Sequence, residues 1–326
     1  MIKLKIVGLG VSLPDKILTN SDLEKMVDTS DQWIIERTGI KERRIAESKT
    51  ACSDLVIDAT KQALQHAGLK ASDLDTLIVG TSTPDTIFPS TACWVQKGLG
   101  ISGSAAFDIS AGCTGFLYAM EIASNLIATG KSKKVLVAGV EILSKITNYE
   151  DRSTCVLFGD GAGVCILVPT EEDRGIMSSN WGADGNLAEL LYMPAGGSRI
   201  PATCESVEKK LHCLHMAGNE VFKNAVREME GAAFTALKDA NLTADDIDLF
   251  IPHQANIRII DATIKRANIP SEKTSITIDK YGNMSAATIP VALYEAYHEG
   301  KIKDNSKILF AAFGAGFTWA AMILKW

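Results

Sequence analysis

The sequence has no long apolar run and no excess of positive charge. No stretch approaches the roughly 18 apolar residues that a membrane-spanning helix needs. The 326 residues carry a net charge of −6, which argues against a general nucleic-acid-binding protein. The first ten residues resemble a strand and lack the pattern of a secretory signal. We therefore expect a cytoplasmic protein that neither binds nucleic acid nor inserts into a membrane.

The seven cysteines show neither a disulfide framework nor the spacing of a zinc site. Their number is odd, and no Cys-x-x-Cys pair occurs. Cys155 and Cys165 lie in apolar, strand-like runs that are typical of core thiols. Residues 212–215 (His-Cys-Leu-His) and Cys204 lack the spacing of a tetrahedral site. The pattern indicates reduced thiols in a reducing compartment and no metal.

The chain repeats itself at a constant offset. Residues 72–80 (SDLDTLIVG) resemble 245–253 (DDIDLFIPH), and residues 135–139 (VLVAG) resemble 308–312 (ILFAA), 173 positions further along in both cases. Two matches at one offset indicate an internal duplication. Strands that alternate with helices predict that each half is an α/β unit with a mostly parallel sheet.

The predicted helices and turns define two halves, residues 1–172 and 173–326. Amphipathic helices are predicted over 53–67 and 221–240, in front of the first repeated strand of each half. Glycine-containing segments are expected to close the sheets as hairpins, at 156–168 and 308–324. Residues 194–211 have the composition of a surface loop.

Cys113 lies at a corner where a short strand meets a helix. The strand covers 105–109, and the helical pattern runs over 116–128. Unpaired N–H groups at a helix N-terminus favour thiolate, so we expect a lowered pKa for this thiol. Gly112 and Gly115 leave room for a substrate to approach the backbone. From this segment alone, a buried core thiol is an equal alternative.

The duplication gives Cys113 two partners. It aligns Gly112–Cys113 with Gly282–Asn283 and places His253 at the carboxyl end of a repeated strand. Ligands of open α/β sheets bind outside the carboxyl ends of the strands, so the three side chains should face one cleft, as an activated nucleophile requires. His253 could instead be structural, and Asn283 could be a turn residue or a helix N-cap.

A basic cluster precedes the first repeat. It comprises Arg37, Lys41, Arg43 and Arg44. These side chains could form a solvated face. Together with Trp33 they could also bind an anionic ligand that carries a base, through charge and stacking.

Motifs along nearly the whole chain carry a family resemblance. They are 28–40 (DTSDQWIIERTGI), 88–93 (FPSTAC), the Cys113 segment, 151–163 (DRSTCVLFGDGAG), 216–223 (MAGNEVFK), 253–256 (HQAN), 281–283 (YGN) and 317–319 (FTW). In this order they resemble the β-ketoacyl-acyl-carrier-protein synthase III family of the thiolase superfamily.

The resemblance implies a thiolase-like α/β fold of two pseudo-symmetric halves, layered αβαβα, and a homodimer. It implies a triad of Cys113, His253 and Asn283 that condenses an acyl-CoA with malonyl-acyl carrier protein. The expected acyl-CoA is acetyl-CoA. The products would be 3-oxoacyl-carrier protein, CoA and CO₂, at the start of type II fatty acid biosynthesis. No metal or redox cofactor is implied.

Further residues match family positions with known roles. The backbone N–H groups of Cys113 and Ala315 would form the oxyanion hole, although Ala315 replaces the middle glycine of the family's C-terminal triple glycine. Phe88 would reach the partner subunit's acyl pocket. The adenine would lie between Trp33 and Arg152. The CoA and pantetheine channel would be lined by Thr29, Arg37, Gly218 and Asn256. The carrier protein would dock on Lys223, Arg258, Lys265 and Arg266. Residues 196–214 look longer than is usual in the family.

Four other functions compete with this one. A ketosynthase of secondary metabolism, or one that starts polyketides, would share the scaffold. A degradative thiolase would need a second active-site cysteine near the C-terminal glycines, and no cysteine follows Cys213. A Cys-His-Asn acyl hydrolase would pass the acyl group to water. A non-catalytic acyl-CoA-binding protein would not need the triad.

Overall fold

Strands and helices alternate along the chain, and the computed structural model describes residues 1–326. The strands are β1 (Ile2–Ser12), β2 (Ile17–Thr19), β3 (Glu42–Arg44), β4 (Thr76–Gly80), β5 (Ala105–Ile109), β6 (Val135–Ile142), β7 (Asp160–Pro169), β8 (Gly175–Ala183), β9 (Leu191–Tyr192), β10 (His215–Met216), β11 (Leu249–Pro252), β12 (Lys307–Gly314) and β13 (Thr318–Lys325). The helices are α1 (Asn20–Leu23), α2 (Asp31–Thr38), α3 (Cys52–Ala67), α4 (Thr91–Gly98), α5 (Gly115–Ala128), α6 (Arg152–Cys155), α7 (Cys204–Glu208), α8 (Gly218–Asp239), α9 (Ile257–Ala267), α10 (Ile278–Tyr281) and α11 (Thr288–His298).

Nine strands form one sheet, and its two halves have the same strand order when each is followed outwards from the centre. The N-terminal half runs β1-β7-β6-β4-β5, and the C-terminal half runs β8-β13-β12-β11, without a counterpart of β5. Thr76 pairs with Val135 in parallel, and Leu249 pairs with Ile308 in the same way. Both members of the second pair lie 173 residues after those of the first. The register of the sheet therefore confirms the duplication.

Side chains alternate between two helix layers along each central strand. In β6, Val135 and Val137 belong to the cluster that contains α5, whereas Leu136 and Ala138 pack with α3. This is the two-residue period of a strand that is buried on both faces. The N-terminal half-sheet is therefore covered by α3 on one side and by α5 on the other.

The C-terminal half has the same arrangement. Phe310 of β12 joins the cluster that contains α5 and α11, whereas Leu309 packs with α8. Helices α5 and α11 thus lie between the half-sheets, with α3 and α8 on the outside. This is the layered thiolase-like αβαβα fold that the resemblance implies.

Two expectations about the fold were wrong. The sheet is mixed, because only β4-β5, β4-β6 and β11-β12 pair in parallel. Residues 156–168 are not a hairpin: β7 is a single strand that pairs antiparallel with β6 and β1. A Cβ atom at Gly163 would lie 2.8 Å from Pro290, so this glycine admits α11 rather than making a turn. The segment 194–211 is mostly exposed, as expected of a surface loop, although it contains the short helix α7.

Other expectations agree with the structure. The predicted helices 53–67 and 221–240 correspond to α3 and α8, and β12 with β13 forms the second predicted hairpin. The boundary between residues 172 and 173 stays a prediction, and it falls in the connection between β7 and β8. Even the longest helix, α8, is not apolar enough to cross a membrane, and no other helix qualifies.

Gly80 offers a test of how α5 is positioned. A Cβ atom at Gly80 would lie 2.5 Å from the carbonyl carbon of Gly115, where α5 begins. We expect Gly80→Ala to lower the free energy of unfolding by about 1–3 kcal/mol, because backbone must move to accommodate the methyl group. Urea denaturation measures this change.

The matched control is Gly231→Ala on α8, where an added Cβ meets nothing within 4 Å. We expect this variant to be more stable by up to about 1 kcal/mol, because alanine favours a helix. A Gly80→Ala protein as stable as the wild type would contradict the tight strand-to-helix contact.

Candidate active site

A cavity of about 670 Å³ brings the three predicted triad residues together. Its lining includes Cys113, His253 and Asn283. Cys113 follows β5, His253 follows β11, and Asn283 lies between α10 and α11. The cavity therefore forms where equivalent segments of the two halves meet.

Cys113 lies in a tight turn against the loop between β12 and β13. A 3₁₀ turn, Gly112–Thr114, precedes α5. A Cβ atom at Gly314 would lie 2.5 Å from the Cys113 nitrogen, and one at Gly112 would lie 2.6 Å from the Ala315 nitrogen. The hydroxyl of Thr318 lies 3.0 Å from the Ala111 carbonyl and 3.2 Å from the Ala315 carbonyl, so the two loops share its single proton. The backbone amides of Cys113 and Ala315 are thereby held close together.

The expectation of a lowered pKa for Cys113 was wrong. Burial raises the pKa of this thiol to about 12. The neighbouring Ser285 side chain lowers the pKa and the charge of Glu141 raises it, but both effects are smaller than burial. Removal of water destabilises the thiolate more than the start of α5 stabilises it. At neutral pH the sulfur is therefore a protonated thiol, and it needs a proton acceptor before it can attack.

His253 is a buried, neutral imidazole. Its backbone N–H donates to the Ala311 carbonyl at 2.8 Å, and its ring packs edge-on against Phe313 with centroids 5.4 Å apart. Nδ1 lies 2.7 Å from the Thr288 hydroxyl, whereas Nε2 is buried without a hydrogen-bond partner. Burial lowers the pKa of His253 to about 3. Nε2 is therefore the nitrogen left to interact with a ligand or with the cavity's other groups.

Asn283 is fixed by its backbone and by one end of its amide. Its N–H donates to Leu157 at 2.9 Å, and its carbonyl accepts from Gly159 at 3.0 Å. The Oδ1 atom accepts from the backbone N–H of Ser285 at 2.8 Å. Because a backbone N–H can only donate, the oxygen must point towards Ser285, and Nδ2 is left as a free donor. Asn283 therefore makes an Asx turn with its side-chain oxygen, the turn role left open above, and keeps its amide nitrogen for other contacts.

Sequence reasoning missed three polar residues beside the triad: Glu141, Ser285 and Thr288. Glu141 is fully buried and accepts hydrogen bonds from the Ser285 hydroxyl at 3.0 Å and from the backbone N–H of Ser82 at 3.0 Å. Burial raises the pKa of its carboxyl group to about 7. One signal was present in the sequence, because Glu141 is the single charged residue of the apolar strand β6.

Gln254 was also missed, and it holds the His253 segment against the segment that leads to Asn283. Its Nε2 donates to the carbonyls of Pro252 and Ser275, and its Oε1 accepts from the N–H groups of Thr277 and Ile278. A fully bonded buried amide fixes both segments.

The mouth of the cavity contains four of the six residues expected to bind CoA. Those in the lining are Trp33, Arg37, Gly218 and Asn256. Thr29 and Arg152 lie outside the lining. The Arg152 guanidinium lies over the Trp33 ring, 5.0 Å from its centroid. An adenine could enter between them only if these two side chains separate.

The basic cluster near Trp33 has mixed roles. Arg43 is fully buried, and it donates to the carbonyls of Leu18 and Val156 and to the side chain of Asn20. It is therefore structural, neither part of a solvated face nor available to a ligand. Arg37 lines the cavity.

The residues expected to dock a carrier protein lie beside the mouth and on α9. Lys223 and Arg258 line the cavity, and Arg258 lies 5.4 Å from the Phe222 ring. Lys265 and Arg266 are exposed, and Arg266 pairs with Glu230 at 3.0 Å.

Phe88 and the remaining cysteines lie away from the cavity. Phe88 is 84% exposed and its neighbour Ile87 is 81% exposed. All seven cysteines are free, and Cys155 and Cys165 are buried as expected for core thiols. No three His, Cys, Asp or Glu side chains converge on a site for a metal ion.

Comparison with known proteins identifies the family. Residues 107–185 match the model of 3-oxoacyl-[acyl-carrier-protein] synthase III, and residues 237–326 match the model of its C-terminal part. A β-ketoacyl-[acyl-carrier-protein] synthase III of Caldanaerobacter subterraneus subsp. tengcongensis is 57% identical over 321 residues, 98% of this chain and 97% of the relative. The chain belongs to the β-ketoacyl-[acyl-carrier-protein] synthase III family. It is a condensing acyltransferase of fatty acid biosynthesis.

Solved structures show the same fold. The 3-oxoacyl-[acyl-carrier-protein] synthase III of Aquifex aeolicus VF5 matches with a TM-score of 0.92 and 48% identity, over 99% of this chain and 100% of that chain. The priming β-ketosynthase of the R1128 polyketide pathway matches with a TM-score of 0.92 and 33% identity, over 99% and 96% of the two chains.

The raised pKa of Cys113 predicts how its alkylation depends on pH. In a Cys204→Ser background, which removes the exposed thiol, we expect slow carboxamidomethylation of Cys113 by iodoacetamide at pH 7. The rate should rise by about tenfold per pH unit between pH 7 and 9, because thiolate is the reactive form. Peptide mass spectrometry at timed intervals measures it. A rate that is already constant above pH 7 would show that the helix start dominates instead.

Proposed function

We propose that this protein condenses acetyl-CoA, or another acyl-CoA, with malonyl-acyl carrier protein. The products are 3-oxoacyl-carrier protein, CoA and CO₂, and the reaction is the first condensation of type II fatty acid synthesis. The observation that carries the proposal is the meeting of a buried thiol, a neutral imidazole and an amide donor in one cavity with a cationic mouth. These groups suit acyl transfer followed by carbanion formation.

In the first half-reaction Cys113 attacks the thioester carbon of the acyl-CoA. The oxyanion then lies between the backbone N–H groups of Cys113 and Ala315, whose loops are in close contact. A backbone N–H donates equally well from alanine, so the replacement of glycine by Ala315 leaves this donor in place. CoA departs, and an acyl-Cys113 intermediate remains.

In the second half-reaction His253 and Asn283 bind the thioester oxygen of the malonyl group. Nδ2 of Asn283 is free because Oδ1 is held by Ser285. Donors placed where an enolate develops contribute about 3–4 kcal/mol each to lowering the barrier. As CO₂ departs, the carbanion attacks acyl-Cys113 and forms the new carbon–carbon bond.

The substrates would reach Cys113 through the mouth of the cavity. The CoA adenine would bind between Trp33 and Arg152 once they separate, and its pantetheine would run past Thr29, Arg37, Gly218 and Asn256. The acidic carrier protein would dock on Lys223, Arg258, Lys265 and Arg266. Opposite charge at a docking surface mainly speeds encounter and selects the partner.

The proposal includes a homodimer in the cytoplasm. Two adjacent large apolar side chains, Ile87 and Phe88, are more than four-fifths exposed. Such a pair is costly in water and favours burial by a second copy, where Phe88 would border the partner's acyl pocket. The free thiols fit a reducing compartment.

A starter enzyme of a polyketide pathway is the second candidate, because a priming β-ketosynthase matches over nearly the full chain. The two differ in the acyl group that they accept. A difference of one methylene in an apolar pocket changes the free energy by only about 1–3 kcal/mol. Intact-mass measurement after exposure to a panel of acyl-CoAs separates the two candidates.

Acylation tests the nucleophile. We expect the wild type and Cys204→Ser to incorporate label from [¹⁴C]acetyl-CoA, and Cys113→Ala to incorporate none, because no other thiol lines the cavity. Label retained in Cys113→Ala would overturn the assignment. Addition of malonyl-carrier protein should convert the label to 3-oxoacyl product. Release of free acetate instead of this product would support an acyl hydrolase. If the wild-type protein incorporates no label, the result would support a non-catalytic acyl-CoA-binding protein.

Decarboxylation tests the two donors. We expect His253→Ala and Asn283→Ala to release CO₂ from malonyl-carrier protein roughly 10²–10³-fold more slowly than the wild type, because each variant removes one donor to the enolate oxygen. Lys61→Ala serves as the control for folding, because this α3 side chain is 65% exposed and has no role in the proposed catalysis, CoA binding or carrier-protein docking. Unchanged rates in both alanine variants would exclude this role.

A further inference from the structure

Thr288 links His253 to the loop that holds Asn283. It is fully buried and is the first residue of α11. Its Oγ1 lies 2.7 Å from Nδ1 of His253 and 2.9 Å from the carbonyl oxygen of Ser285. The reaction proposed above assigns no role to this hydroxyl.

The position of each proton follows from what the partners can do. The Ser285 carbonyl accepts from the Thr288 backbone N–H and lies within hydrogen-bond distance of the Thr288 hydroxyl as well. When the single hydroxyl proton is donated to this carbonyl, the hydroxyl oxygen can only accept towards His253, and Nδ1 carries a proton. A neutral imidazole has one N–H, so Nε2 is left with a free lone pair.

We propose that Thr288 is a positioning residue that fixes His253 in the Nδ1–H tautomer and thereby makes Nε2 the acceptor of the Cys113 proton. The inference rests on the proposed function, because it concerns the same acyl transfer. Nε2 is available for this role, since it has no hydrogen-bond partner within the protein.

The acylation step balances with this assignment. The thiol proton of Cys113 passes to Nε2 as the sulfur bonds the acyl carbon. The bond from that carbon to the CoA sulfur breaks, and the departing thiolate takes the proton from Nε2 and leaves as CoA thiol. Glu141, the other ionisable group whose charge acts on Cys113, is bonded to the Ser285 hydroxyl.

The assignment also defines when His253 can donate. In this tautomer Nε2 binds a thioester oxygen only after it has gained a proton. The condensation consumes one proton, because the malonyl carboxylate leaves as CO₂ and Cys113 is released as thiolate. A solvent proton taken up at Nε2 would first stabilise the enolate and then return to the Cys113 sulfur.

Nitrogen NMR of ring-¹⁵N-labelled histidine tests the tautomer directly. The chain has five histidines, so the His253 signals are assigned from their loss in His253→Gln. We expect the wild type to show a protonated Nδ1 and a bare Nε2, Thr288→Ser to show the same, and Thr288→Val to show a mixture. A wild-type spectrum with the proton on Nε2 would overturn the inference.

The acylation rate, measured by rapid quench with acetyl-CoA, tests the consequence. We expect Thr288→Val to be acylated roughly 10–100-fold more slowly than the wild type, the range found when a residue that orients a metal-binding histidine is removed. Thr288→Ser should be acylated at close to the wild-type rate. The matched control is Thr263→Val, which removes another fully buried threonine hydroxyl bonded to a helix carbonyl. It should acylate at the wild-type rate.

The outcomes separate the two proposals. An unchanged acylation rate in Thr288→Val would overturn the role of Thr288 and leave the condensation proposal intact. A wild type that is never acylated would overturn the proposed function, whereas the tautomer would still be readable by NMR. If Thr288→Val does not fold, the wild-type spectrum together with Thr288→Ser decides.

Discussion

The packing of α5 and α11 between the two half-sheets is the contact on which the site depends. Glycines in the first half-sheet make it possible. A Cβ atom at Gly139 would lie 2.1 Å from the carbonyl oxygen of Ala286, in the segment that follows Asn283. Gly80 meets the start of α5 at a similarly short distance. Because Gly139 has no side chain, backbone from the second half reaches the first half-sheet, and because Gly80 has none, α5 begins close to β4. The cavity forms where these segments meet.

Burial then sets the chemistry of the groups that this packing brings together. Without water, ionised forms are costly, so the resting cavity holds a neutral thiol and a neutral imidazole. Backbone groups orient the donors and acceptors of the cavity. At Asn283 the backbone N–H of Ser285 binds the side-chain oxygen, so only the amide nitrogen is left to donate to a ligand. Groups held in this way need little rearrangement when charge develops on a substrate.

Much of the fold was predictable, because it depends on local patterns. The repeat offset of 173 identified the strands that pair equivalently, and the helical periods located α3 and α8. The pairing directions were not predictable. Glycines inside β7 looked like turn residues, and only the position of α11 against Gly163 explains them. A strand that is buried on both faces carries no sequence signal for the direction of its neighbours.

The sequence by itself determined that Cys113, His253 and Asn283 meet in one cavity, because a duplicated chain places equivalent strand ends side by side and the family motifs name the same three residues. Only the tertiary structure decided how those residues are protonated and oriented. It made Arg43 structural, raised the pKa of Cys113 instead of lowering it, and placed Thr288 against His253. The physical reason is that desolvation and hydrogen bonding depend on every chain segment around a group, and most of those segments are distant in sequence.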